Sequence, residues 1–236
     1  MSAEHRETPI HGSAKELASH LQRLKELRGA QAKRPARLAE LKLFQSRRLA
    51  QTYRDLAAQP RYRVATAFFL DDLYGPKDFS ARDQEMLRIV PVMSRILPSS
   101  AVQTAALAIE LEALSEDLDH RLAAALGEGP LDAATYAQAY RESSTREERM
   151  HQIDLIEGVG KRLDALVRKP FVGHMLKLMR RPAHLAGLGG LQDFLEEGFA
   201  SFRDMKGADA FLGTLREREE EILSRLFSAK PEPFSL

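Results

Sequence analysis

Apolar residues recur at every third or fourth position along nearly the whole chain, and no run alternates strictly between apolar and polar. That period lets an α-helix gather its apolar side chains on one face, whereas a half-buried strand needs a period of two. The pattern excludes a sheet protein and predicts an all-α fold. Prolines and glycines then divide it into segments. Ser13 and Glu16 form a capping box for a helix to about Arg28, with Leu17, Leu21 and Leu24 inward. Pro35 starts a second helix reaching Ala58, with Leu38, Leu41, Leu49, Tyr53 and Leu56 as its inner face. A third, from Arg61 to Tyr74, is apolar on almost every side and stops at Gly75-Pro76. Ser80 and Asp83 cap the next, which runs to Ile96 with a kink expected at Pro91.

The carboxy-terminal half continues the pattern. Ser99 or Ser100 caps a long helix to Leu126, striped by Leu107, Leu111, Leu114, Leu118 and Leu122. Asp132 caps a short helix, and Ser144 with Glu147 caps another that ends near Arg168. Pro170, Pro182 and Gly187 to Gly190 are expected to break up the stretch that follows. Two helices close the chain, Leu191 to Met205 and Ala208 to Phe227. The sum is a single-domain helical bundle of about nine or ten helices over residues 13–227. Residues 13–58 belong either to the bundle or to a separate hairpin or arm. A flexible 1–12 and a disordered tail over 228–236 flank the domain.

Composition removes several classes of function. The chain has 236 residues and no cysteine, which excludes disulfides and thiolate metal sites and points to the cytoplasm. No apolar stretch is long enough to span a membrane, and the opening MSAEHRETPIHGSAKEL has no apolar core of a secretory signal. Formal net charge is only +1, yet the charges are segregated. Residues 1–63 hold 14 basic and 6 acidic side chains, residues 110–157 hold 4 and 12, and residues 161–190 hold 7 and 1. The stripe of Arg47, Arg54 and Arg61, thickened by Arg48 and Arg63, suits an anionic nucleic acid or membrane surface. It suits equally a solvated helix face paired with the acidic middle of the same chain or of a second copy, as in an antiparallel homodimer. No aromatic platforms interleave the basic stripe, so nucleic acid is not favoured.

Two segments stand apart. In residues 168–181, Phe171, Met175, Leu178 and Met179 fall together on a short helix with basic residues, including Arg180 and Arg181, at both ends. This fits an interfacial helix or an adaptable partner groove, and also a core helix whose ends carry their charges to water. The other segment is Phe68-Phe69-Leu70-Asp71-Asp72-Leu73-Tyr74, where two carboxylates occupy the last turn of an apolar helix. The helix dipole disfavours them there, so a cation should compensate: Arg82 or Arg88 within the chain, or a ligand or partner. Phe68, Asp71, Asp72, Tyr74 and Arg82 are thus candidates for partner or ligand binding, with Arg47, Arg54, Arg180 and Arg181.

Phe68 to Tyr74 resembles the signature of the bacterial FFLEELY motif proteins, Asp71 and Asp72 standing where that family has two glutamates. Gly75 to Asp83 and Leu188 to Leu195 are also similar to that family, and the likeness covers most of the chain after about residue 40. It implies a bacterial helical protein and carries over no activity, cofactor or catalytic residue.

The best catalytic reading is a carboxylate-bridged di-metal centre in a four-helix core, of ferritin-like architecture. Glu148 and His151 have the Glu-x-x-His spacing, Asp117 with His120 is a poorer copy, and Glu110 supplies a further carboxylate. At 100° per residue, His151 falls about 120° from the apolar centre of its helix, too far round to point at a buried metal. A heme-oxygenase-like enzyme with His120 or His151 as axial ligand is the other catalytic alternative. There is no Gly-x-Ser-x-Gly elbow and no P-loop. The sequence therefore favours a non-enzymatic protein-binding or scaffold module with no cofactor, either alone or self-associating. The alternatives are a metal-dependent oxidase or oxygenase and an anionic-surface binder.

Overall fold

A computed structural model describes residues 37–70 and 99–235, together with Ser19, Gln22 and Glu26. The helix expected from Ser13, the carboxylates Asp71 and Asp72, and the helix from Ser80 to Ile96 lie outside the described residues. Those described form nine α-helices and no strand, as the periodicity predicts. They are α1 (Leu38–Thr52), α2 (Arg54–Ala58), α3 (Arg63–Phe68), α4 (Ser99–Ala125) and α5 (Ala133–Ser143), then α6 (Arg146–Val167), α7 (Pro170–Leu185), α8 (Gly189–Met205) and α9 (Asp209–Phe227).

Two apolar clusters sit end to end, and α9 runs through both. Leu38, Leu41, Leu122, Tyr136, Tyr140, Ile222 and Leu226 join α1, α4, α5 and the end of α9. Tyr53, Leu56, Tyr62, Phe68, Phe69, Phe202, Phe211 and Leu215 join α2, α3, α8 and the start of α9. The leucine stripe of α4 behaves as its spacing requires: Leu107, Leu118 and Leu122 are buried, while Leu111 and Leu114 pack beside Leu155 and Val159 of α6. Burial of such side chains, at roughly 25 cal/mol per Å² of apolar surface, is the main force holding the helices together.

Local chemistry accounts for the departures from the sequence reading. The second helix does not run unbroken to Ala58, because the Nη1 of Arg218 donates to the Thr52 carbonyl at 2.7 Å and withdraws it from the helical ladder at Tyr53. The cap of α6 is Thr145 with Glu148, one residue later than expected. Ser144 is turned inward, where its hydroxyl donates to the Tyr140 carbonyl at 2.7 Å and accepts from Arg149 Nε at 3.0 Å, so Thr145 is left to cap. Asp132 caps α5 as read. Pro182 does not break α7, since its ring faces water, where the freed carbonyl can be solvated. The helix ends at Gly187, whose φ of 71° only glycine adopts without strain, with Leu188 N–H donating to the Ala183 carbonyl. The tail is not loose: Pro233 is buried, and the Phe234 ring lies edge-on to Tyr136 (5.6 Å) and Phe44 (6.2 Å).

Candidate functional site

The inner face of helix α7 carries Val172, Gly173, Leu176 and Ala183, while Phe171, Leu178, Met179 and Leu185 are exposed. Gly173 lies so close to α8 that a Cβ there would stand 2.8 Å from the Phe199 ring. The Leu176 carbonyl accepts from Gln192 Nε2 at 2.7 Å, Ala183 is buried, and Arg180 is clamped by Glu196 on α8. That salt bridge holds the Glu196 carboxyl below the usual carboxylate range. With this face turned to α8, the residues at i, i+7, i+11 and i+14 (Phe171, Leu178, Pro182 and Leu185) form the outer crest, with the half-buried Met175 at i+4 along its edge. Leu178 is 70% exposed, Leu185 89% and Phe171 45%, with Met179 beside them. His174, Lys177 and Arg181 run along one flank, all exposed, and none pairs with a carboxylate among the described residues. A shallow open depression between Arg180, Arg181, His184 and Leu185 ends the crest.

The other candidate residues separate into structural roles. Phe68 lies in the core, 5.3 Å from the Phe194 ring and against Gly198. Asp71, Asp72, Tyr74 and Arg82 lie outside the described residues. The basic stripe of α1 is dispersed. Arg48 turns inward to Glu219 at 2.6 Å, and Arg61 donates to the Met205 and Gly207 carbonyls. Arg47 and Arg54 remain exposed. The proposed metal ligands fall into separate pairs rather than one cluster. His151 meets Glu110 at 3.4 Å, His120 meets Glu116 at 3.2 Å, and Arg121 bridges Asp117 and Glu148. Among the described residues no group of three or more His, Asp or Glu side chains is disposed to hold a metal.

A buried polar belt, which the sequence reading missed, crosses the first cluster. Arg149 is 3% exposed and stacks 4.1 Å over the Tyr140 ring, its Nη2 without a hydrogen-bond partner among the described residues. Lys42 reaches Glu116 at 2.9 Å, Gln45 donates to Asp119 at 2.9 Å, and Tyr53 and Arg48 both donate to Glu219. The signal was available, since Arg149 falls about 40° from the apolar centre of α6, at 100° per residue. Burial pushes the Asp119 carboxyl up despite the Gln45 bond and the nearby Lys42 and Arg149, and raises the Tyr136 and Tyr140 phenols. A carboxyl whose folded pKa is raised binds its proton more tightly when folded, so its contribution to stability is present at acid pH and lost as pH rises through that pKa. Asp119→Asn keeps an acceptor for Gln45 without the charge. It is expected to raise the melting temperature at neutral pH, with the gain vanishing in acid. Equal melting temperatures at neutral pH would overturn this assignment.

A family model described as a domain of unknown function, DUF8198, matches residues 24–233, a span that includes all nine described helices. The chain is a member of the DUF8198 family. No curated protein and no solved structure matches it. Within this DUF8198 chain no described helix is long and apolar enough to cross a membrane. The crest of α7 lies wholly inside the matched span, so it is part of the family's domain and not an appendage to it.

Proposed function

We propose that this DUF8198 protein is a non-enzymatic, cytoplasmic docking module whose contact surface is the outer crest of α7. One observation carries the reading. Of the six large apolar side chains exposed among the described residues, four (Phe171, Leu178, Met179 and Leu185) belong to this one helix. Scattered surface leucines are ordinary, but an aligned apolar row beside unpaired cations marks a surface that another body covers. Self-association through opposed charged segments has less support. Lys42–Glu116 and Gln45–Asp119 already join the basic α1 to the acidic α4 within one chain. A bacterial origin and kinship with the FFLEELY group remain part of this proposal, resting on Phe68 to Tyr74.

A docking crest contributes little to the stability of the free protein. Leu178→Ser with Leu185→Ser is therefore expected to change unfolding free energy by no more than about 0.5 kcal/mol per site in urea titration. Because the chain has no cysteine, Leu178→Cys gives a single thiol, expected to react with a maleimide at the rate of a free thiol. A loss of more than about 2 kcal/mol in the double variant, or a shielded thiol, would place the crest inside the folded protein and end the docking reading.

A further inference from the structure

We infer that the occupant of the α7 crest is an anionic phospholipid surface, an assignment that rests on the docking reading above and names its partner. Three observations select it. The first is charge. No Asp or Glu occurs from residue 165 to residue 192, and Lys177 and Arg181 stand unpaired among the described residues beside the apolar row. An anionic occupant is attracted along the whole helix, while a second copy docking crest to crest would set cation against cation.

The second observation is shape. Among the described helices α7 packs mainly on α8, with fewer contacts to α6, and no other described helix packs substantially against it to make the wall of a groove. A partner helix is usually received between two ridges, and a stable protein interface buries about 800 Å² on each side. A bare crest with side chains protruding singly meets a fluid surface without needing a complementary shape. The third is depth and length. From Phe171 to Leu185 the crest runs about 21 Å at 1.5 Å per residue, and it lies along one line of the helix. Laid flat, Phe171, Leu178 and Leu185 reach the boundary between headgroups and acyl chains, while Lys177 and Arg181 stay at the level of the phosphates and serine carboxylates. Leu185, 89% exposed at the helix end, is the deepest-reaching anchor.

The test is flotation of the full chain with vesicles of phosphatidylcholine alone and of phosphatidylcholine mixed with phosphatidylserine, at low and high salt. Binding is expected on the phosphatidylserine vesicles only, weakening as salt rises. Lys177→Gln with Arg181→Gln is expected to lower partitioning roughly 25-fold, about fivefold per cation removed. Leu178→Ser with Leu185→Ser is expected to abolish flotation while the circular dichroism and melting temperature stay those of the parent. Equal binding to both vesicle types, or flotation unaffected by either double variant, overturns the assignment. So does absence of flotation from a protein whose Leu178→Cys thiol reacts freely. That result leaves the docking reading standing and turns the crest toward an acidic protein partner. A shielded thiol instead removes the docking reading itself, and a dimer lost on Leu178→Ser with Leu185→Ser assigns the crest to a second copy.

Discussion

Replacing Glu219 by alanine is expected to destabilise the protein by about 3 kcal/mol, the low end of what removing one member of a buried ion pair costs. The Arg48 guanidinium is enclosed among α1, α5 and α9, with Glu219 as its counterion at 2.6 Å and the Phe234 ring 5.8 Å away. The pair raises the arginine pKa although burial works the other way, so the cation stays charged in every accessible condition. Without Glu219 that charge loses its carboxylate partner, and the Tyr53 hydroxyl loses its bond to Glu219 as well. The size of the effect lies in the orphaned charge rather than in the lost bond, and this makes two further variants informative. Glu219→Gln, which keeps an acceptor for Tyr53, should lose less than the alanine. Arg48→Met combined with Glu219→Ala should recover much of the loss, because a neutral side chain of similar length then fills the space. Urea unfolding of the set measures this directly, and an alanine variant within 1 kcal/mol of the parent would mean that Arg48 reaches water.

This belt also marks where sequence reasoning stops. The helices, the α4 stripe, the Asp132 cap and the break at Gly187 were legible because each depends on neighbours within one or two turns. Arg149 was legible only in part: its place about 40° from the apolar centre of α6 marks it as inward, but a charged residue there reads as a solvated one until its partners are known. The cap of α6 shows the same limit on a smaller scale. Ser144 and Thr145 both fit an N-cap, and only the approach of Arg149 to the Ser144 hydroxyl decides between them. Helix α7 was half legible. Its amphipathic character is plain in residues 168–181, but which face packs depends on α8. The choice falls on Gly173 and Ala183 because small residues let two backbones approach closely, with the larger side chains displaced to the outside. Reading large and apolar as inward is the ordinary rule, and it fails at Phe171, Leu178, Met179 and Leu185. The tail was read as loose from its two prolines, whereas Phe234 has an aromatic seat between Phe44 and Tyr136 that no local pattern announces.

The largest single loss is expected at the other end of the molecule, where Phe211→Ala should cost about 3–5 kcal/mol. Phe211 is 1% exposed, and its ring lies 5.5 Å from Tyr62 and 5.7 Å from Phe69, with Phe202 6.1 Å beyond Phe69. Helix α3 has only six residues, too few to be stable alone, so it is held by these rings against α8 and α9. Removing the Phe211 ring deletes apolar contact and leaves a cavity that the surrounding aromatics, already in contact with one another, fill poorly. Phe211→Leu retains most of the volume and should lose less than half as much. Hydrogen exchange distinguishes a local from a global effect: amides of α3 should gain exchange before those of α4 and α6, because α3 depends most on the lost ring. An alanine variant that loses less than about 1 kcal/mol would mean the aromatic cluster repacks, and α3 would then need another anchor. A phenylalanine that ties two helices together and a pair of leucines that are mostly exposed should differ several-fold in what their removal costs. That difference separates the side chains this chain uses to fold from those it holds out to be covered.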